Sequence, residues 1–302
     1  MSSPNVKVSK KTHRLVMQEN IAAYSFLAPF LLFFVGFVLY PMFMCIFTSF
    51  FDATMGRDDI FVGFGNYKEL FSDPVFWVAL KNTMVIVLVS VPATCAFSLW
   101  VASAISKMHV TATSAFRCIF YLPVVTGSVA VTMVWKWMFN NYYGILNYLG
   151  KGMGLIDKNI NWLGDPKYAL GCIILILLTT SVGQPIVLYV SALDNVDKSL
   201  VEAAQVDGAT EMQAFWRIKW PQMMPTTLYI LVITTINSFQ CFALIQLLTS
   251  GGPNNSTMTI MYYIYYNAFK LYRYGYGNAM GVILAIIIAI LSAVQFRLGK
   301  EK

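Results

Sequence analysis

Six stretches of the sequence are apolar for long enough to cross a bilayer, whose hydrocarbon core takes roughly 20 residues of helix. They run near residues 21–50, 76–105, 115–139, 168–193, 223–248 and 275–297, and the last holds 282–291 without one polar side chain. Lipid cannot satisfy a free backbone amide, so such stretches fold as helices. The alternating pattern of a membrane β-barrel is absent. Charged residues make up 12% of the chain against 58% hydrophobic. That is about half the usual charged share, too little to coat a soluble core of this size. Aromatics at 15% exclude disorder. The five cysteines are odd in number and all lie in apolar stretches, which argues against a disulfide-stapled secreted fold. The expectation is an all-α polytopic membrane protein with six transmembrane helices.

Lys7, Lys10, Lys11 and Arg14 precede the first stretch like the basic region of a signal peptide. The apolar run behind them is too long for one, and no small-x-small cleavage site follows it closely. Lys and Arg are only mildly biased between the two sides, and this cluster is the clearest part of the bias. It places both termini in the cytoplasm. The organisation read from this is a cytoplasmic tail over 1–20, a six-helix membrane domain over 21–298 and a short cytoplasmic tail over 299–302.

Several stretches are interrupted. Pro29 and Pro41 fall in the first, Pro92 in the second, Pro123 in the third and Gly183-Gln184-Pro185 in the fourth. Proline removes an amide donor and kinks a helix. Such breaks are either ordinary membrane-helix kinks or discontinuities that line a polar path. Gln184 adds a polar group at its break, so both readings stay open there.

One long polar segment, 194–221, lies on the inner side between the fourth and fifth stretches. Ser199 with Glu202 reads as a capping box that starts a helix, and Gly208 can end it at positive φ. Thr210 with Gln213 offers a second N-cap, and Pro221 reads as a stop before the fifth stretch. Two short helices lying flat on the inner membrane face are predicted. The exposed Ala203-Ala204 step allows close approach of another surface, and Glu202 and Asp207 can meet basic groups of a partner. The segment is either a plain helical loop or a docking element.

Glu202-Ala203-Ala204, Asp207-Gly208-Ala209, Phe215, Ile218 and Pro221 together resemble the EAA loop of ABC importer permeases. Val62-Gly63-Phe64-Gly65-Asn66-Tyr67, Asn161-Trp162-Leu163 and the run 247–253, which ends Gly251-Gly252-Pro253, are similar to the carbohydrate-uptake branch of that family. The resemblance covers residues 24–298. It implies a type I ABC importer permease fold in the inner or plasma membrane of a prokaryote. The implied partners are a second homologous permease, two ATP-binding subunits on the cytoplasmic side and an extracytoplasmic solute-binding protein. The implied cargo is a sugar. Glu202, Ala203, Ala204, Asp207 and Gly208 would form the element seated in the ATPase.

The same resemblance sets Thr234, Asn237, Ser238 and Cys241 at substrate-lining positions, with Gly183 and Gln184 at the fourth-span break as further pathway residues. Polar residues in a membrane span usually face the bundle interior. Asn237 and Ser238 read equally as interhelical glue. Trp135 and Trp137 around Lys136 read as an aromatic belt with a snorkelling lysine rather than a sugar-stacking platform, and Tyr262, Tyr263, Tyr265 and Tyr266 either as an interfacial helix or as a contact for the binding protein. The chain carries no phosphate-binding G-x-x-x-x-G-K-[ST] loop, and its two histidines, His13 and His109, make no metal cluster. Neither cofactor, metal nor catalytic role is therefore expected, and the split basic residues do not indicate nucleic acid. Alternatives are a permease for a non-sugar solute such as glycerol 3-phosphate, or a self-contained ion-coupled carrier. The second is disfavoured because no carboxylate lies well inside a span.

Overall fold

The protein is described here by a computed structural model over residues 10–300. Lys7, with the start of the N-terminal tail and residues 301–302, lies outside the described residues. Apart from a two-residue antiparallel ladder, Phe51–Asp52 with Ile60–Phe61, the described elements are helices. Four are long and apolar enough to cross a membrane: Glu19–Thr48, Pro74–Ile105, Glu211–Leu248 and Tyr274–Gly299. Two bent pairs complete six crossings: Val110–Val125 with Ser128–Met138, and Pro166–Ser181 with Gly183–Asp194.

The third span is thus not one helix over 115–139. It begins at Val110 and turns by 93° at Thr126 and Gly127, whose extended backbones interrupt the helical ladder. The fourth bends by 43° at Val182, beside Gly183-Gln184-Pro185. The fifth stops at Phe239 and resumes as Ala243–Leu248.

Two ends of the bundle are defined by contacts between loops. At the lower end Lys107 is ion-paired with Glu211, and Arg117 with Asp194 at 2.8 Å. At the upper end Asp73 caps the second span and accepts hydrogen bonds from Tyr263 at 2.5 Å and Tyr276 at 2.8 Å. Partial burial works to raise the Asp73 carboxyl, but these donors and the Val75 and Phe76 amides outweigh it and hold it below its ordinary value. Most of the tyrosine run packs against the chain itself, and only Tyr266 is exposed. Tyr262 is buried, Tyr263 serves Asp73, and Tyr265 packs on Phe242 and Phe269. Trp135 likewise stacks on Phe139 against the core, and only Trp137 of that pair is exposed.

The second span, Pro74–Ile105, is the hub. Its small residues Ala79, Ser90, Thr94, Ser98 and Ala102 are buried, which lets Gly183–Asp194 and Trp220–Phe239 pack closely along it. Its polar side chains reach across to neighbours. Ser90 Oγ and Ser238 Oγ lie 3.0 Å apart, and Ser98 donates to the Val182 carbonyl at 3.3 Å. Asn82 donates to the carbonyls of Asn255 and Met258, both at 3.0 Å, and Thr83 Oγ1 accepts from the Ile260 amide at 3.0 Å.

The first span stands apart. None of the described side chains of Glu19–Thr48 is buried within the chain, and Phe26 is 86% exposed. It is fastened at its upper end, where Asn278 donates to Thr48 Oγ1 at 2.5 Å and Asn66 to the carbonyls of Ser49 and Phe51 at 2.9 and 2.8 Å.

Asn82→Leu leaves the part-buried Asn255 carbonyl and the buried Met258 carbonyl of the upper loop without their donor, at a cost of about 1–3 kcal/mol. It is expected to lower the unfolding midpoint in detergent and to speed proteolysis within 249–259. Ser90→Ala removes a single interhelical bond, worth about 0.6 kcal/mol, and is expected to leave both measurements nearly unchanged.

Candidate coupling segment and membrane cavity

The polar segment 194–221 folds as a helix, a turn and a second helix. Asp197 caps the first, Lys198–Val206, by accepting from the Ser199 amide at 2.9 Å and its hydroxyl at 2.7 Å. Those donors hold the Asp197 carboxyl below its ordinary value. The cap is two places earlier than a Ser199–Glu202 box requires, and the Asp197 carboxylate engages the Ser199 hydroxyl that such a box would need. Glu202 is thereby left free of any capping duty. Gly208 adopts φ +83°, the Ala209 amide reaches back to the Ala204 carbonyl at 2.9 Å, and the Gly208 amide bonds Gln205 at 3.0 Å. This closes the helix in the left-handed turn that favours glycine. Thr210 and Gln213 then form the reciprocal capping box expected of them.

Pro221 does not end the second helix. Glu211–Ala214 passes through a π-helical turn, Phe215–Lys219, directly into Trp220–Phe239. In the wide turn the Trp220 amide bonds the Phe215 carbonyl, five residues back. The turn makes room for a proline ring whose missing donor would otherwise break the ladder. The same device, Val35–Leu39 before Pro41, carries the first span through its proline. The segment is therefore one short helix followed by the start of the fifth span.

The short helix rests on the bundle through half-buried Val201 and Ala204. It turns Glu202, Ala203, Val206 and Asp207 outward, and Val206 is 88% exposed. Among the described residues neither Glu202 nor Asp207 makes an ion pair. An outward face of apolar side chains flanked by two free carboxylates is suited to a concave partner with basic groups.

The breaks in the third, fourth and fifth spans converge. Between them lie two hollows, of about 160 and 350 Å³. Val124, Thr180 and Asn237 line both, so they form one continuous lining. Gln184 and Thr234 face the smaller, and Cys241, Thr126, Ser128 and Gln240 the larger. Gln184, Asn237 and Gln240 are exposed, and none makes a side-chain hydrogen bond among the described residues. No charged side chain lines either hollow. Such a wall offers free amide donors and acceptors to an uncharged hydroxylated solute.

Four of the six predicted pathway residues, Gln184, Thr234, Asn237 and Cys241, thus meet at one lining. Two do not. Ser238 turns away, is buried and bonds Ser90, because it stands about 100° around the helix from Asn237, toward the second span. Gly183 is a packing position: a Cβ there would stand 2.3 Å from the Phe120 carbonyl oxygen. Thr126, Ser128, Thr180, Ser181 and Gln240 were not among the expected residues. Their signal was a polar cluster flanking each break, Thr179-Thr180-Ser181 before Gly183 and Thr126 and Ser128 around Gly127. Among the described residues no group of His, Cys, Asp or Glu is placed to hold a metal ion.

The family described as "Binding-protein-dependent transport system inner membrane component" matches residues 23–300. The probable ABC transporter permease protein YesP of Bacillus subtilis (strain 168) is 33% identical over 291 residues, 95% of this chain and 93% of its own. The multiple sugar-binding transport system permease protein MsmF of Streptococcus mutans is 34% identical over 268 residues, 88% of this chain and 91% of its own. In fold, the chain is similar to one from the crystal structure of a bacterial alginate ABC transporter in complex with alginate pentasaccharide-bound periplasmic protein. The TM-score is 0.82, with 24% identity over 94% of this chain and 96% of that one.

Even a methyl group does not fit at Gly183, so Gly183→Ala is expected to push the third and fourth spans apart. The measurement is folded yield after detergent extraction, expected to fall severalfold, while Ser181→Ala, at the same bend, extracts like the parent chain.

Proposed function

This chain belongs to the family of binding-protein-dependent transport system inner membrane components, and we propose that it is the permease subunit of an ATP-driven sugar importer, forming half of the translocation pathway. It is a multi-pass membrane protein of the inner membrane. The single observation that carries the sugar reading is the uncharged hollow at the three converging breaks, with the free amides of Gln184, Asn237 and Gln240. A phosphorylated cargo such as glycerol 3-phosphate calls for an Arg or Lys on the pathway, and this lining has none. The name of MsmF, a multiple-sugar system, agrees with the hydroxyl and amide chemistry.

The lower end faces the cytoplasm in this reading, with both termini there, as the Lys7 to Arg14 cluster favours. The short helix Lys198–Val206 docks in one of two ATP-binding subunits, presenting Glu202, Ala203, Val206 and Asp207, with Ala204 seating the helix on the bundle behind them, while Gly208 permits the turn. A second, homologous permease covers the first span, which finds no burial within its own chain, and closes the other half of the hollow. A solute-binding protein delivers sugar at the upper end. The chain itself hydrolyses nothing.

The mechanical link is the helix through Pro221. From Glu211 to Phe239 it rises about 43 Å at 1.5 Å per residue, and Asn237 stands at its far end. Lys107–Glu211 and Arg117–Asp194 tie the two flanks of the segment to the second and third spans. When the ATPases close, the seated helix moves and these ties carry the spans with it. The hollow then opens alternately to either side, a rigid-body exchange of access.

Glu202→Lys reverses a charge on the docking face without touching the fold, and is expected to cut binding-protein-stimulated ATP hydrolysis and sugar uptake at least tenfold with membrane insertion intact. Full stimulated hydrolysis by the purified Glu202→Lys complex would sink the docking assignment. Asn237→Ala is expected to reduce uptake of the cognate sugar roughly tenfold, equivalent to about 1.4 kcal/mol. Unchanged rate and apparent affinity would remove Asn237 from the pathway.

A further inference from the structure

A further hollow lies away from the lining at the three breaks. It is a groove of about 750 Å³ at the lower end, between the last turns of the second span, the short helix Lys198–Val206 and the start of the fifth span. Its floor is apolar, with Leu99, Val201 and Phe215, and Trp100 and Trp216 stand beside it at 68% and 52% exposure. Its rim is polar: Lys107, Glu211 and Lys219. Glu211 is bonded to Lys107, so Lys219 is left without an ion pair among the described residues, and the rim carries a net positive charge.

The groove runs along the second span from Ala96 to its end at Ile105, about 14 Å at 1.5 Å per residue, and on to Lys107 in the turn beyond. That matches about half of a hydrocarbon core of about 30 Å. One end therefore sits at the depth of acyl chains and the other at the level of headgroups. The two tryptophans flank it in the manner of interfacial anchors, and the basic rim complements a phosphate.

We propose that this groove binds an anionic phospholipid of the leaflet at the lower end, with an acyl chain along Leu99 and Phe215 and its phosphate at Lys219. The lipid would bridge the second span and the coupling segment, and so lie on the route by which motion of Lys198–Val206 reaches the bundle. The functional meaning rests on the importer reading; the binding itself does not.

The test uses the assembled importer in phosphatidylcholine nanodiscs doped with phosphatidylglycerol that carries a photoactivatable diazirine in its acyl chain. Irradiation followed by peptide mapping is expected to concentrate adducts in 96–107 and 211–219. Unlabelled phosphatidylglycerol competes them away and added phosphatidylcholine does not. Lys219→Gln is expected to reduce them about fivefold, the factor that about 1 kcal/mol per lysine at an anionic surface implies. The competition arm needs no variant, so a poorly folding Lys219→Gln leaves the test intact. Labelling spread evenly over the outward faces of all spans, or equal competition by phosphatidylcholine, overturns the proposal. So does an unlabelled groove in an intact complex, the result expected if the second permease fills it. Both leaflets of the nanodisc have the same composition, so this result is independent of which end is cytoplasmic. A wrong orientation would show instead as protease access to the N-terminus from outside sealed vesicles.

Discussion

Ser90, Ser98, Asn82 and Thr83 project from the second span, and each meets a neighbour at or beside the place where that neighbour's helix is interrupted. Ser98 takes the Val182 carbonyl at the fourth-span bend, and Ser90 meets Ser238 just before the fifth span stops. Asn82 and Thr83 hold the loop that follows. Thr259 of that loop in turn donates to the Cys241 carbonyl, inside the fifth-span break. A broken helix in lipid is tolerable only where its freed backbone groups find partners within the protein. The small, polar side of one long helix supplies much of that satisfaction, and the hollow can exist because of it.

The same logic explains why the breaks differ from the prolines. Pro41 and Pro221 interrupt nothing, since a π-helical turn before each accommodates the ring. Pro123 lies inside a continuous helix, and the sharp turn comes at Thr126 and Gly127 instead. A proline marks a missing donor; whether the chain bends there depends on what lies behind it. The consequence is large at Pro221, because a continuous helix joins the segment 194–221 to the wall of the hollow where a stop would have left a flexible joint.

Much of the hollow's lining was legible before the fold. Polar groups within apolar stretches are expensive, so Gln184, Thr234 and Asn237 stood out, the family resemblance added Cys241, and all four meet at the hollow. Gly208 and the Thr210–Gln213 cap were readable because their requirements are local to three or four residues. Ser238 and Gly183 were not separable from the pathway residues by sequence. A serine that lines a path and one that bonds a neighbouring span have the same local pattern, and a glycine's neighbour across a helix crossing is far away in the chain. The Asp197 cap was missed because Ser199 and Glu202 have the spacing of a capping box, while the carboxylate two residues earlier takes both the Ser199 amide and its hydroxyl.

The apolar stretches and the scarcity of charge were enough to determine a six-span helical membrane protein, because lipid leaves the backbone no other choice over such lengths. Short-range chemistry likewise determined the turn and caps of 194–221. Tertiary structure alone decided which breaks face one another, which polar side chain lines the hollow and which pins a span, and that the first span is left bare. Those outcomes depend on which side of each helix meets which neighbour. That is set by packing between residues as far apart as Ser90 and Ser238 or Asn82 and Met258, and no local pattern records it.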